Sequence, residues 1–138
     1  MMVATPDRFP EDALLSPVRQ RLEELAQLDP DWDSYGACPP ARAALDGALE
    51  FASRVERRFW RRVGERVLPS AISPLPSGGI ELEWHNPGEL VAVDIGPDGR
   101  CGYLRNSGSG RGAHYEEQND VSPVTLLSVV AAVLLPRS

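Results

Sequence analysis

Residues 77–106 read SGGIELEWHNPGELVAVDIGPDGRCGYLRN, and this stretch decides the fold. Ile80, Leu82 and Trp84 alternate with Glu81, Glu83 and His85, the two-residue period of a strand with one apolar and one wet face. Val91, Val93 and Ile95 repeat the pattern, with Ala92 and Asp94 assigned to the opposite face and β-branched residues favouring a strand. Asn86-Pro87-Gly88 separates the two runs as a turn. Gly96-Pro97-Asp98-Gly99 predicts a type I turn closed by a left-handed glycine, leading into a third strand over 100–106 with Tyr103 and Leu104 on opposite faces. The result is an antiparallel meander.

Working outward, Ala71-Ile72-Ser73 reads as a short edge strand bounded by Pro74 and Pro76. Residues 113–118 read as a further strand with Tyr115 facing inward, after a glycine-rich tip, SGSGRG, over 107–112. That tip lacks the lysine and helix start of a phosphate loop. Two helices are expected before the sheet. Ser16-Pro17 supplies a start signal, Val18, Leu22 and Leu25 a helical face, and Asp29-Pro30 a stop. The second helix is expected over 41–66, with Leu45, Leu49, Ala52, Val55, Phe59 and Val63 on one face. Glu56 intrudes on that face and suggests fraying. Ser122-Pro123 repeats the start signal ahead of VTLLSVVAAVLL, a C-terminal helix apolar nearly all round. The expected class is α+β: two N-terminal helices, an antiparallel sheet of four to five strands and a C-terminal apolar helix, in one domain over 1–138 with a loose arm over 1–12.

Composition narrows function. The 138 residues carry a net charge of -6, which argues against general affinity for nucleic acid. All 14 basic residues are Arg, so no lysine is present to form a Schiff base or hold a nucleotide phosphate. Cys38 and Cys101 are far apart and match no zinc or redox spacing, so two free thiols are expected, with a disulfide left open. The N-terminal residues lack a signal-peptide pattern, and residues 124–135 are too few to span a bilayer; the expected compartment is the cytoplasm.

Three groups of residues are candidates for a site. The loop DWDSYGACPP, 31–40, carries Trp32 and Tyr35, either as plugs for the core or as recognition anchors beside Asp31 and Asp33; Glu81 and Glu83 extend this candidate partner-binding surface. Arg54, Arg57, Arg58 and Arg61 form a basic stripe, either a solvated helix face or a surface for an acidic partner. Leu127, Val130 and Leu134 are candidates for an oligomer interface, because a terminal helix apolar on all sides is hard to enclose in a small domain; a homodimer or hetero-complex is expected. For chemistry, His85 with Glu81 and Glu83 is the one cluster suited to a metal or acid–base role, against a plain solvated strand face. His114 with Tyr115, Glu116 and Glu117 is weaker, and a pairing of Cys101 with either His needs proximity that sequence does not give. No cofactor is expected.

The loop Trp32-Asp33-Ser34-Tyr35-Gly36-Ala37 with Pro39-Pro40, followed by Gly78-Gly79-Ile80-Glu81-Leu82-Glu83-Trp84, resembles a family of small uncharacterised bacterial and phage-borne proteins. These carry a W-D-G/S-Y-G-A loop, a helix, a G-G-I-x-L-E-W strand and a D-G hairpin; the resemblance covers about residues 25–103. It implies a compact α+β accessory protein of the antitoxin, immunity or phage anti-defence kind. The function expected is therefore a non-enzymatic acidic protein that covers a basic site on a protein partner. The alternative is a small enzyme or metal-binding protein built on His85, Glu81 and Glu83.

Overall fold

The computed structural model describes residues 11–64, 67–108 and 114–135. Three helices, α1 (Glu11–Leu25), α2 (Arg42–Val63) and α3 (Pro123–Leu134), accompany five strands. The strands are β1 (Ala71–Pro74), β2 (Ile80–Asn86), β3 (Glu89–Ile95), β4 (Cys101–Ser107) and β5 (His114–Val121). They form one antiparallel sheet in the order β1-β2-β3-β4-β5, so the class is α+β.

The helices lie on one face of the sheet, and the strand period explains which one. Ile80, Leu82, Trp84, Val91, Val93 and Ile95 are all at most 1 % exposed and join Ala48, Phe51, Val55, Leu126 and Val130 in a single core. Trp84 meets Phe51 of α2 edge-on, with ring centroids 5.8 Å apart. Small residues let α2 approach closely: Ala44 and Ala48 are fully buried, and a Cβ on Gly47 would lie 3.1 Å from Ile95 Cγ2. Asn86 Nδ2 donates to the Val133 carbonyl at 3.0 Å and ties α3 to the end of β2.

The turns follow their sequence signals. Gly99 has φ +86°, and its N–H donates to the Gly96 carbonyl at 2.9 Å. Ser122 caps α3 by accepting from the Thr125 N–H at 3.2 Å, with Pro123 in the first turn.

Several expectations are corrected. α1 begins by Glu11, so Ser16-Pro17 does not start it; Pro17 lies inside the helix, where the cost is one missing backbone hydrogen bond and local crowding. Residues 1–10 of the expected arm, 109–112 of the glycine-rich tip and residue 113 of the strand expected after it lie outside the described residues. Glu56 marks no fraying. It is fully buried in the middle of α2, and its Oε1 accepts from the Val67 N–H at 2.8 Å, holding the connection to β1. Ala92 is on the helix-free face as expected yet buried, because Glu83 and Leu104 flank it in the neighbouring strands. Tyr115 does not face inward: it is 68 % exposed, because no helix covers the face of β5 on which it stands.

Replacing Trp84 by Ala removes the largest buried side chain beneath α2 and is expected to cost about 3–5 kcal/mol. Urea unfolding of both proteins measures this; an unchanged midpoint would mean that Trp84 does not support the core.

Candidate functional surface

The strand registers place the helix-free face of the sheet in three rows. The first runs Ser73, Glu81, Asp94, Gly102; the second Ala71, Glu83, Ala92, Leu104, Glu117; the third His85, Leu90, Asn106, Tyr115. Four carboxylates therefore surround a small apolar centre of Ala92 and Leu104, and among the described residues in these rows there is no Arg. At the β5 edge of this face Tyr115 adds exposed aromatic area.

Glu81 and Asp94 stand directly opposite one another in adjacent strands, and their side chains share a hydrogen bond. Partial burial, that hydrogen bond, and the charges of Asp94 and Glu83 raise the Glu81 pKa to about 7. Asp94 is also raised, chiefly by burial, and further by the charge of Glu117. The two carboxyls thus hold one proton between them near neutral pH, an arrangement that two like charges adopt when both cannot ionise together.

His85 pairs with Glu83 two residues earlier on the same face. Glu81, the third member of the expected cluster, is engaged by Asp94 instead. Among the described residues no group of three or more His, Cys, Asp or Glu side chains is placed to hold a metal. A surface cleft of about 460 Å³ lies beside His85, between Asn86–Leu90, Asn106 and Gly108. Its one carboxylate, Glu89, is committed to Arg105 at 2.8 Å. The His114 cluster divides: Tyr115 and Glu117 share the helix-free face, whereas His114 and Glu116 stand opposite Ser107 and Arg105 on the other. Cys38 and Cys101 are free thiols. Burial and the charge of Asp98 push the Cys101 thiol up, away from the thiolate that nucleophilic chemistry requires.

The loop over 31–38 is held from within. Asp33 Oδ1 accepts from the N–H groups of Tyr35 at 2.8 Å and Ala37 at 3.1 Å, and Asp31 Oδ1 from that of Gly36 at 2.6 Å. Asp31 and Ser34 adopt left-handed backbone with φ +66° and +67°. Trp32 Nε1 donates to the Cys38 carbonyl at 2.8 Å and closes the loop on itself. Asp31 and Asp33 each commit one oxygen, Oδ1, to the loop backbone, while Asp31 stays exposed and Asp33 half-buried. Trp32 is half-buried, and Tyr35 projects at 92 % exposure.

The same loop is fixed to the sheet. The Cys38 N–H donates to the Pro76 carbonyl and the Ala41 N–H to the Gly78 carbonyl, each at 2.8 Å. Gly78 has φ +95°, and a Cβ on Gly79 would lie 2.6 Å from the Ile95 carbonyl oxygen. The two sequence motifs separated by α2 thus meet at one end of the sheet, where a Cβ on Gly78 would lie 3.3 Å from the Pro39 carbonyl oxygen, while Gly79 is required by its approach to β3. Glu81 and Glu83 share the helix-free face.

The remaining candidates separate. Arg54, Arg57, Arg58 and Arg61 line one side of α2, but Arg54 is paired with Glu50 at 2.8 Å and Arg57 donates to Ser53 at 3.4 Å. Val130 is corrected from interface to core: it is fully buried within this chain and has no area left for another. Leu127 and Leu134 pack half-buried on the same core. α3 is enclosed on one side, where Leu126, Val130, Ala131 and Val133 are buried against the sheet and α2; its open side presents Val124, Thr125, Ser128 and Ala132. Among the described residues no helix is long and apolar enough to cross a membrane.

Sequence reasoning missed Asp94 and Glu117, which join the surface through strand register. Their signal was the polar phase of β3 and β5, visible once the pairing is known. Comparison with protein-family models, curated proteins and solved structures gave no match.

Two outcomes follow. Replacing Asp33 by Ala leaves the Tyr35 and Ala37 N–H groups without their acceptor and is expected to cost about 1–3 kcal/mol, read by chemical denaturation. The second concerns pH. A carboxyl whose pKa is higher in the native chain keeps its proton after the unfolded chain has lost it, so native stability falls as pH rises from 4.5 to about 7 and levels off above. Glu81→Gln is expected to flatten this decline and to melt above the unmodified protein on the alkaline side. Parallel melting curves across that range would contradict the shared proton.

Proposed function

We propose that this protein is a non-enzymatic binding protein whose acidic sheet face covers a basic surface on a protein partner. The observation that supports this most is the composition of the helix-free face: Glu81, Glu83, Asp94 and Glu117 surround Ala92 and Leu104, with no described Arg in the three rows. An apolar centre inside a charged rim is the arrangement of a protein interface, and a single sign of charge selects a partner of the opposite sign. Tyr35, on a loop stiffened by its own hydrogen bonds, supplies a second contact of low entropic cost at the end of the sheet.

A cation laid across Glu81 and Asp94 would favour both carboxylates in their charged forms and displace the proton between them. Binding would then release a proton near neutral pH. The resemblance of the 32–40 loop and the 78–84 strand to small bacterial and phage-borne accessory proteins agrees with an antitoxin, immunity or anti-defence role in the cytoplasm. In that role a folded acidic surface occludes a basic functional site.

The test is capture of the partner from the native host, repeated with two variant sets. Capture by the unmodified protein is expected to weaken with added salt, because screening acts over ~8 Å at physiological ionic strength, and Glu83→Arg with Glu117→Arg is expected to abolish it. Arg54→Glu, Arg58→Glu and Arg61→Glu are expected to leave capture intact. The opposite pattern would assign recognition to the basic stripe of α2 and overturn the proposal.

A further inference from the structure

We propose that β5 is a docking edge, to which an extended basic segment of the partner adds as a sixth strand. This rests on the acidic-face reading and specifies how the partner engages it. The sheet order leaves two edges, β1 and β5, and they are built differently. The β1 edge is closed. It is four residues long, ends at Pro74, which has no N–H, and Arg21 of α1 occupies it by donating from Nε to the Ile72 carbonyl at 3.1 Å.

The β5 edge is open. It is eight residues long, and His114 through Asp120 are exposed without interruption. No described residue outside β4 forms a backbone hydrogen bond to it. Alternate backbone groups of such a strand point outward and are ready to pair.

Charge decides what pairs there. Glu116 and Glu117 are consecutive, so they stand on opposite faces of the edge, and any added strand meets a carboxylate on each side. A second copy of β5 would bring further carboxylates to the same edge, which opposes self-pairing. A strand with two consecutive basic residues places one beside Glu117, extending the acidic row of the open face, and one beside Glu116. The register slips between Cys101 and Tyr103, with Asp120 in left-handed backbone at φ +56°, so regular pairing is confined to His114–Gln118. In the antiparallel sense the guest runs polar, basic, basic, apolar, polar, with its apolar residue opposite Tyr115.

The probe is a capped peptide with the core Thr-Arg-Arg-Val-Thr, together with two versions N-methylated at alternate residues in opposite phase. Both keep the charge; one loses the N–H groups that face β5, and the other keeps them. Amide spectra and hydrogen exchange of the labelled full chain are followed during titration. Support is protection of alternate amides over 114–118 by the parent and by one methylated phase only, with affinity about tenfold weaker for Glu116→Lys with Glu117→Lys. Equal binding of both phases overturns strand addition while leaving the acidic face as a binding surface. So does a parent peptide that fails to bind when capture of the partner still depends on Glu83 and Glu117. Loss of that dependence defeats the reading beneath it. Concentration-dependent protection of β5 without peptide overturns the proposal in favour of self-pairing.

Discussion

Burial of one face of the meander beneath α2 and α3 is the constraint on which the rest of this structure depends. Ile80, Leu82, Trp84, Val91, Val93 and Ile95 must all leave water together, because strand register places them in adjoining rows. A sheet covered on one side leaves the other face and its edges to be managed separately. Here the opposite face carries carboxylates, one edge is closed by Pro74 and Arg21, and the other edge is charged. Those three solutions give the molecule its candidate binding surfaces.

Two polar devices hold the connections around that core. Glu56 is buried in α2 and accepts the Val67 N–H, fixing the chain where it leaves the helix for β1. A carboxylate taken from water needs hydrogen bonds to be tolerated, so its position specifies the path of the connection. Asp31 and Asp33 do comparable work before α2, where they accept three backbone N–H groups. Both devices use acidic side chains for architecture, so part of the chain's acidic content serves the fold.

The charges that remain available are segregated. Four carboxylates gather on the helix-free face, while the arginine stripe runs along α2 in the helical layer. Crowding on the acidic face is relieved by the proton held between Glu81 and Asp94, which costs stability as pH rises but leaves the surface able to accept a cation. The same repulsion weakens the native state as pH rises towards neutral, and the basic partner proposed above would lift it.

The sequence made legible the meander, its turns and part of the core face of α2, though not the buried Ala44, Ala48 and Phe51. These are short-range properties: a two-residue period fixes which side chains share a face, and Gly99 and Ser122 carry local backbone preferences that need no distant contact. It also led to Glu81, Glu83 and Tyr35 as surface residues. Tertiary contacts alone settle that Asp31 and Asp33 each tie an oxygen to their own loop, that Val130 is core, and that Asp94 and Glu117 complete the acidic face. Each depends on what lies opposite, whether a loop amide, an enclosing sheet or a neighbouring strand. Side-chain type records a residue's capacity for burial, charge or hydrogen bonding, whereas the partner that uses that capacity is chosen by contacts far apart along the chain.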